Sequence, residues 1–174
     1  MTIGKPLPDI AGTGLSVIFC GLNPGLSAAA AGHHFVGRGN RFWRVLHLAG
    51  FTPDQIAPEN DASLLAHGLG ITSVVERPTA GVDDLARAEF VAAAARFEPW
   101  VRRHAPRYVA FLGKAAYAAM MGRRSVAWGW QVEPFGGAVA WVLPNPSGRN
   151  LAFNQDALVA AYRELRLSAK HQGD

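Results

Sequence analysis

The residues best placed to do chemistry lie in two short stretches, GLNPG (21–25) and PNPSGRN (144–150), each of which follows an apolar run and joins asparagine to proline and glycine. An asparagine amide donates and accepts hydrogen bonds but has no useful basicity, so Asn23 or Asn145 can orient a reactant without taking its proton. GLNPG is also a competent tight turn, because Pro24 holds Asn23 in extended backbone and Gly25 can take positive φ. Two nucleotide signatures are missing. Gly21, Gly25 and Gly32 do not space as GxGxxG, and no Lys-Ser or Lys-Thr follows as a phosphate loop needs. Cys20, the single cysteine, excludes an internal disulfide and a cysteine-held metal or cluster, and its apolar surroundings read as those of a packed thiol. No metal and no cofactor is expected.

Seventeen Lys and Arg against thirteen Asp and Glu give a net charge of +4 and a sequence pI near 9.7, in the range of nucleic-acid binders. The placement of charge says more than its sum. Acidic residues concentrate between positions 54 and 98, whereas 20–44 and 143–151 hold arginines and no acid, with His33 and His34 in the first of them. Two turn-rich segments of one sign suit a surface that meets phosphates.

The elements that must position these turns are legible as periodicity. LSVIFCG (15–21), ITSVVE (71–76), RYVAFLG (107–113) and AVAWVLP (138–144) read as strands, and none alternates cleanly between apolar and polar, which suits strands covered on both faces. Helical spacing lies between them: RFWRVLHLAG capped by Asn40, a long helix from Asp83 to about His104, another over Lys114–Met121, and a last from about Asn154 to Ala169. This alternation predicts an α/β fold, with helices on both faces of a mostly parallel sheet. At 174 residues and 49% hydrophobic composition, one domain over 1–174 is expected, with flexible ends at about 1–10 and 168–174. No apolar run reaches the roughly 18 residues of a membrane helix, and MTIGKPLPDI lacks a signal-peptide core, so a soluble, intracellular (cytoplasmic) protein is expected. In such sheets the ligand crevice lies beyond the carboxyl ends of the strands, so Asn23 and Asn145 should share one rim.

Four segments in order, GLNPGLSAAAAGHHFVGRGNRFW, ERPT (76–79), FLGKAAY (111–117) and WVLPNPSG (141–148), closely resemble the mismatch-specific uracil-DNA glycosylases, the family that also contains the animal thymine-DNA glycosylases. The resemblance covers most of the chain. It implies a three-layer α/β/α sandwich around a short, mainly parallel central sheet, and hydrolysis of the N-glycosidic bond of a mispaired uracil to leave an abasic site. It further implies that Asn23 holds the attacking water, and that Leu22, Ala28, His34 and Phe35 surround the extruded base, with Phe35 stacking on it. NPSGRN would be the insertion loop, with Asn145, Pro146, Ser147, Gly148 and Arg149 facing the hole left by the flipped nucleotide. Double-stranded DNA containing mispaired or modified pyrimidines is the implied partner, met by a monomer.

Two features depart from the family's usual pattern. Arg149 stands where bacterial members often carry an apolar wedge, and a solvated surface arginine is the alternative reading. Ala28 stands where some uracil-specific relatives have serine, which would leave room for a 5-methyl group. The proton acceptor for the water is open; Asp83, expected at the cap of the long helix, is the candidate, with helix capping by Asp83 and Asp84 the alternative. Neither His33 nor His34 has an evident partner. Lys114, at a helix start just past the third strand, is a candidate phosphate contact. A module that binds mispairs or abasic sites without efficient chemistry remains the alternative function.

Overall fold

A computed structural model describes residues 7–171. The first apolar run forms β1 (Val17–Gly21), buried along its length, and the chain then enters α1 (Leu26–Ala31) and α2 (Phe42–Leu48). A 3-10 segment, Pro58–His67, leads to β2 (Leu69–Ser73), and α3 (Arg87–His104) connects to β3 (Tyr108–Leu112). Then come α4 (Lys114–Met120), the two-residue β4 (Gly129–Trp130), β5 (Val139–Leu143) and α5 (Gln155–His171). The strands form one sheet in the order β2-β1-β3-β5-β4, parallel except for β4, which runs antiparallel to β5 at the edge.

Successive strand residues point to opposite faces, and here both faces are core. Ile18, Cys20, Val109, Phe111 and Val142 join the cluster under α3 and α4, while Val17, Phe19, Ala110, Leu112 and Leu143 join the one under α2 and α5. That division makes the three-layer α/β/α sandwich. The connection after β1 runs over one face and the connection after β2 over the other, so the chain direction switches between β1 and β3, where such sheets open a crevice at their carboxyl ends.

Several expectations move. The second strand begins at Leu69 rather than 71 because Gly70 lets Ile10 come close: a Cβ there would collide with the Ile10 carbonyl, and Ile10 and Ile71 exchange backbone hydrogen bonds of 2.9 and 2.8 Å. The long helix starts at Arg87, not Asp83. Its cap is Ala86, whose N–H donates to the Glu89 carboxylate at 2.8 Å. Within the ends expected to be flexible, 1–10 and 168–174, Ile10 and Ala169 are buried and Tyr108 Oη lies 3.0 Å from Ser168 Oγ; residues 1–6 and 172–174 lie outside the described residues. No described helix is long and apolar enough to cross a membrane.

Candidate active site

Beyond β1 the chain keeps pairing with the segment that follows β2. Val74, Val75 and Thr79 donate their N–H groups to the carbonyls of Gly21, Leu22 and Pro24 at 2.9, 3.0 and 3.1 Å. Asn23 therefore lies against the RPTAG loop. Its Nδ2 donates to the Arg77 carbonyl and to Thr79 Oγ1, both at 2.8 Å, and Thr79 gives its own hydroxyl hydrogen to the Gly81 carbonyl at 2.8 Å. With that hydrogen committed, Oγ1 can only accept from the amide. Two acceptors at one end of Asn23 decide which end is NH2, an assignment otherwise left to choice. Oδ1 is the remaining polar atom, with no hydrogen-bond partner among the described residues.

The loop that holds Asn23 is itself braced. Arg77 donates Nε and Nη2 to the two carboxylate oxygens of Glu89, both at 3.0 Å, and Nη2 also reaches the Asp84 carbonyl at 3.1 Å. The Arg77 guanidinium, helped by the Ala86 N–H, holds the Glu89 carboxyl below the usual glutamate value. Asp84 accepts from the Gly81 N–H at 3.2 Å. Asp83 sits instead in a one-turn 3-10 helix, Val82–Asp84, exposed and without a hydrogen-bond partner among the described residues. The expected capping role thus divides between Asp84, which ties the loop, and Glu89, which caps the helix. Asp83 does neither.

On the other side of Asn23 the GHHF loop bends back over β1. Phe35 has φ +55, an unusual backbone state for a bulky residue. Its ring lies 4.1 Å from that of Phe42, and a Cβ on Gly21 would meet it at 3.7 Å. Half-buried, it covers the end of β1 beside Leu22. The partners that the histidines lacked in the sequence come from the 3-10 segment and the N-terminus. Buried Asp61 lies 3.3 Å from His33 Nδ1 and accepts the His34 N–H at 3.1 Å, and His34 Nε2 lies 2.8 Å from the Pro8 carbonyl. His34 is 3% exposed, and its ring, turned to the Pro8 carbonyl, anchors the loop in the interior. Ala28, buried in α1, accepts the Gly32 and His33 N–H groups on its carbonyl.

The third wall is the loop after β5, and its organiser is Arg41. Nη1 donates to the Phe153 carbonyl at 2.7 Å, Nη2 to Ser147 and Asn150 at 2.8 and 3.1 Å, and Nε to Pro146 at 3.4 Å. One planar fork thus gathers four carbonyls. Asn145 Oδ1 accepts the Ser147 N–H at 2.9 Å, and Asn150 Nδ2 returns to the Asn145 carbonyl at 2.9 Å. Asn145 shares the rim with Asn23 but not its situation, because its amide oxygen closes a turn. Beneath the loop, Tyr162 donates to the Pro144 carbonyl at 3.0 Å, and burial pushes its phenol well above the ordinary value. Gly148 has no room for a side chain, since a Cβ would lie 2.9 Å from the Gly39 carbonyl. Arg149 is exposed and reaches the loop after β2: a Cβ on Gly81 would lie 2.5 Å from its Nη1.

The rim closes through β3. Gly113, at φ +111, lets Leu22 and Asn145 approach to 3.5 and 4.0 Å of where its Cβ would stand. Lys114, which follows, holds its ammonium 4.4 Å from the Trp128 ring centroid. The turns after β1, β2, β3 and β5 thus meet at one rim: Phe35 packs on Gly21, Leu22 and Asn145 come together at Gly113, and Arg149 reaches Gly81, while the His34 ring is turned to Pro8 and Asp83 stands exposed without a hydrogen-bond partner among the described residues. Thr79, Arg41 and Asp61 carry roles that residue type alone did not announce, although Thr79 falls inside the ERPT motif. Cys20 is fully buried, and burial, then Asp9, pushes its thiol up, so it is no nucleophile. An open hollow of about 580 Å³ on the outer face of α3, lined by Ala94, Glu98, Pro99 and Arg102, has no post-strand turn in its wall and is not the candidate site.

Among solved structures, the solution NMR structure of a Methanosarcina acetivorans protein, provisionally described as a uracil DNA glycosylase, matches 94% of this chain and 98% of that one with a TM-score of 0.57. Its 19% identity speaks for a shared fold and no more. The sequence pattern of the Uracil DNA glycosylase superfamily matches residues 8–166, a span that runs from the segment under His34 through every turn of the cleft and into α5. The chain belongs to the uracil DNA glycosylase superfamily.

Proposed function

We propose that the chain is a monofunctional DNA glycosylase that flips a mispaired uracil from duplex DNA and hydrolyses its N-glycosidic bond. The observation that carries this reading is the locked amide of Asn23, both hydrogens committed to Arg77 and Thr79 and Oδ1 free to accept from a water. A target base cannot be reached inside the stack, and extruding it costs a few kcal/mol, least where pairing is already faulty. Oδ1 orients the water but cannot deprotonate it, which is tolerable when the sugar passes through an oxocarbenium-like state and the leaving base carries the charge. Phe35 offers one ring face to the base while Phe42 backs the other. Asp83, an exposed carboxylate with no hydrogen bond to satisfy it, is the proposed proton acceptor. Incubating a G·U duplex with the protein and then heating in alkali tests the reading. Strand breakage at the uracil only after alkali is expected; binding without an alkali-labile site would make this a recognition module instead.

Two smaller predictions belong to the same site. Thr79→Val keeps the volume but removes the acceptor that holds the Asn23 amide, so single-turnover excision should fall about tenfold, the equivalent of one hydrogen bond of ~1.4 kcal/mol. Thr79→Ser should restore most of it. A valine enzyme as fast as wild type would show that Asn23 needs no such guide. Ala28→Ser tests the pyrimidine range: with alanine, thymine opposite guanine is expected to be a substrate, and serine should lower the thymine-to-uracil ratio of kcat/KM by about tenfold, the lower end of what one methyl group decides. A wild-type enzyme that rejects thymine outright would defeat the broader range.

A further inference from the structure

Three of the five tryptophans, Trp43, Trp100 and Trp141, are buried, whereas Trp128 and Trp130 are 44% and 58% exposed. The two exposed rings follow one another at the antiparallel edge of the sheet. Gly129 pairs with Val142, so Trp128 falls opposite Leu143, the last residue of β5, on the same carboxyl rim as the cleft. Phe153 meets its ring at 5.2 Å and 79°, and the Phe153 carbonyl is one of the four that Arg41 holds. The aromatic pair is thus continuous with the loop after β5 and braced by the same guanidinium. Lys114 lies over the ring and forms no salt bridge among the described residues, so its charge is offset only by the ring's quadrupole. Glu133, on the same edge, is already paired with Arg123.

An unpaired cation beside a half-exposed flat ring calls for an anion attached to a flat or apolar group, and DNA presents that combination at each nucleotide. We propose that Lys114 and Trp128 form a seat for one nucleotide of the strand flanking the extruded base, with Lys114 taking its phosphate and the exposed part of Trp128 packing on its sugar and base. The contact is independent of sequence, and it lies to one side of the extruded position because β4 and β5 stand on one side of the cleft. The inference rests on reading the Asn145–Asn150 loop as a DNA-contacting loop.

Duplexes carrying a non-cleavable abasic analogue opposite guanine test the seat: one long on both sides, and two cut back close to the analogue on one side or the other. Trp128→Ala should weaken binding to the long duplex about tenfold, within the range of one lost stacking contact. It should have no effect on whichever shortened duplex lacks the flanking nucleotide, where wild type has already lost the same contact. Trp128→Leu, which keeps apolar bulk without the flat ring, should behave like the alanine variant. Lys114→Met should lower the slope of log K against log salt by about one phosphate contact. Equal weakening on all three duplexes, or none on any, overturns the proposal, as does a concentration-dependent self-association that Trp128→Ala abolishes, which would give the face to a second copy. A wild-type protein that bound abasic and undamaged duplexes alike would count against the glycosylase reading, while the dependence on flank length would still decide the seat.

Discussion

Asn23→Ala is expected to excise uracil from a G·U duplex about 10²- to 10³-fold more slowly than wild type under single-turnover conditions, with affinity for the same duplex within a few-fold. The size follows from what is removed. Alanine deletes the amide oxygen proposed to place the water, while the walls proposed to meet DNA, the Arg41-gathered loop and the Phe35 turn, stay as they are. Asn23→Asp should not recover the rate. The pocket for the side chain is built from two acceptors, the Arg77 carbonyl and a Thr79 oxygen whose hydrogen already belongs to Gly81, and a carboxylate oxygen placed there would face both without a proton to share. Alkali-labile strand breaks measure excision and fluorescence anisotropy of a labelled duplex measures binding. Near wild-type excision by the alanine variant would remove Asn23 from the mechanism. Asp83→Asn in the same two assays should slow excision without weakening binding; a loss of both would mean that Asp83 supports the loop and takes no proton.

The parts of this molecule that could be read from the sequence are those in which one residue's type reports its own surroundings. Strands buried on both faces are apolar without alternation, so Val17–Gly21, Tyr108–Leu112 and Val139–Leu143 were expected within two residues of their observed bounds. Turns with Asn, Pro and Gly marked the rim. What the sequence hid are relations whose acceptor is a backbone carbonyl. Arg41 looks like any arginine at a helix start, and its four partners lie more than a hundred residues away and include no carboxylate to suggest them. The Arg77 carbonyl serves Asn23 across fifty-four positions by the same device. Asn23 and Asn145 share a local grammar, yet one has both its amide hydrogens on a neighbouring loop and the other closes its own turn, a difference only the β1–β2 pairing decides. Short elements fail for another reason: the pair Gly129–Trp130 and the kinked 3-10 segment that supplies Asp61 are too brief or too irregular to show a period.

Arg41→Ala should be the most disruptive change outside Asn23. Hydrogen bonds from a charged donor contribute more than neutral ones, and removing this guanidinium strips four half-buried carbonyls of one shared donor; a loss of about 2–3 kcal/mol is expected. For a chain of this size that corresponds to a fall of roughly 4–12 °C in Tm. The functional effect should exceed what stability explains, because the loop from Pro146 to Asn150 and the Phe153 carbonyl would lose their common reference point while Asn23, held by Arg77 and Thr79, would not. Excision at saturating enzyme should therefore fall less than affinity for an abasic duplex. Arg41→Lys sharpens the test. Lysine keeps the charge, but a single ammonium cannot span four carbonyls as a planar fork does, so its affinity for DNA should lie nearer that of alanine than of wild type, even where Tm is partly restored. A lysine variant that bound the abasic duplex as wild type does would mean that charge alone, and not the gathering of the loop, is what position 41 supplies.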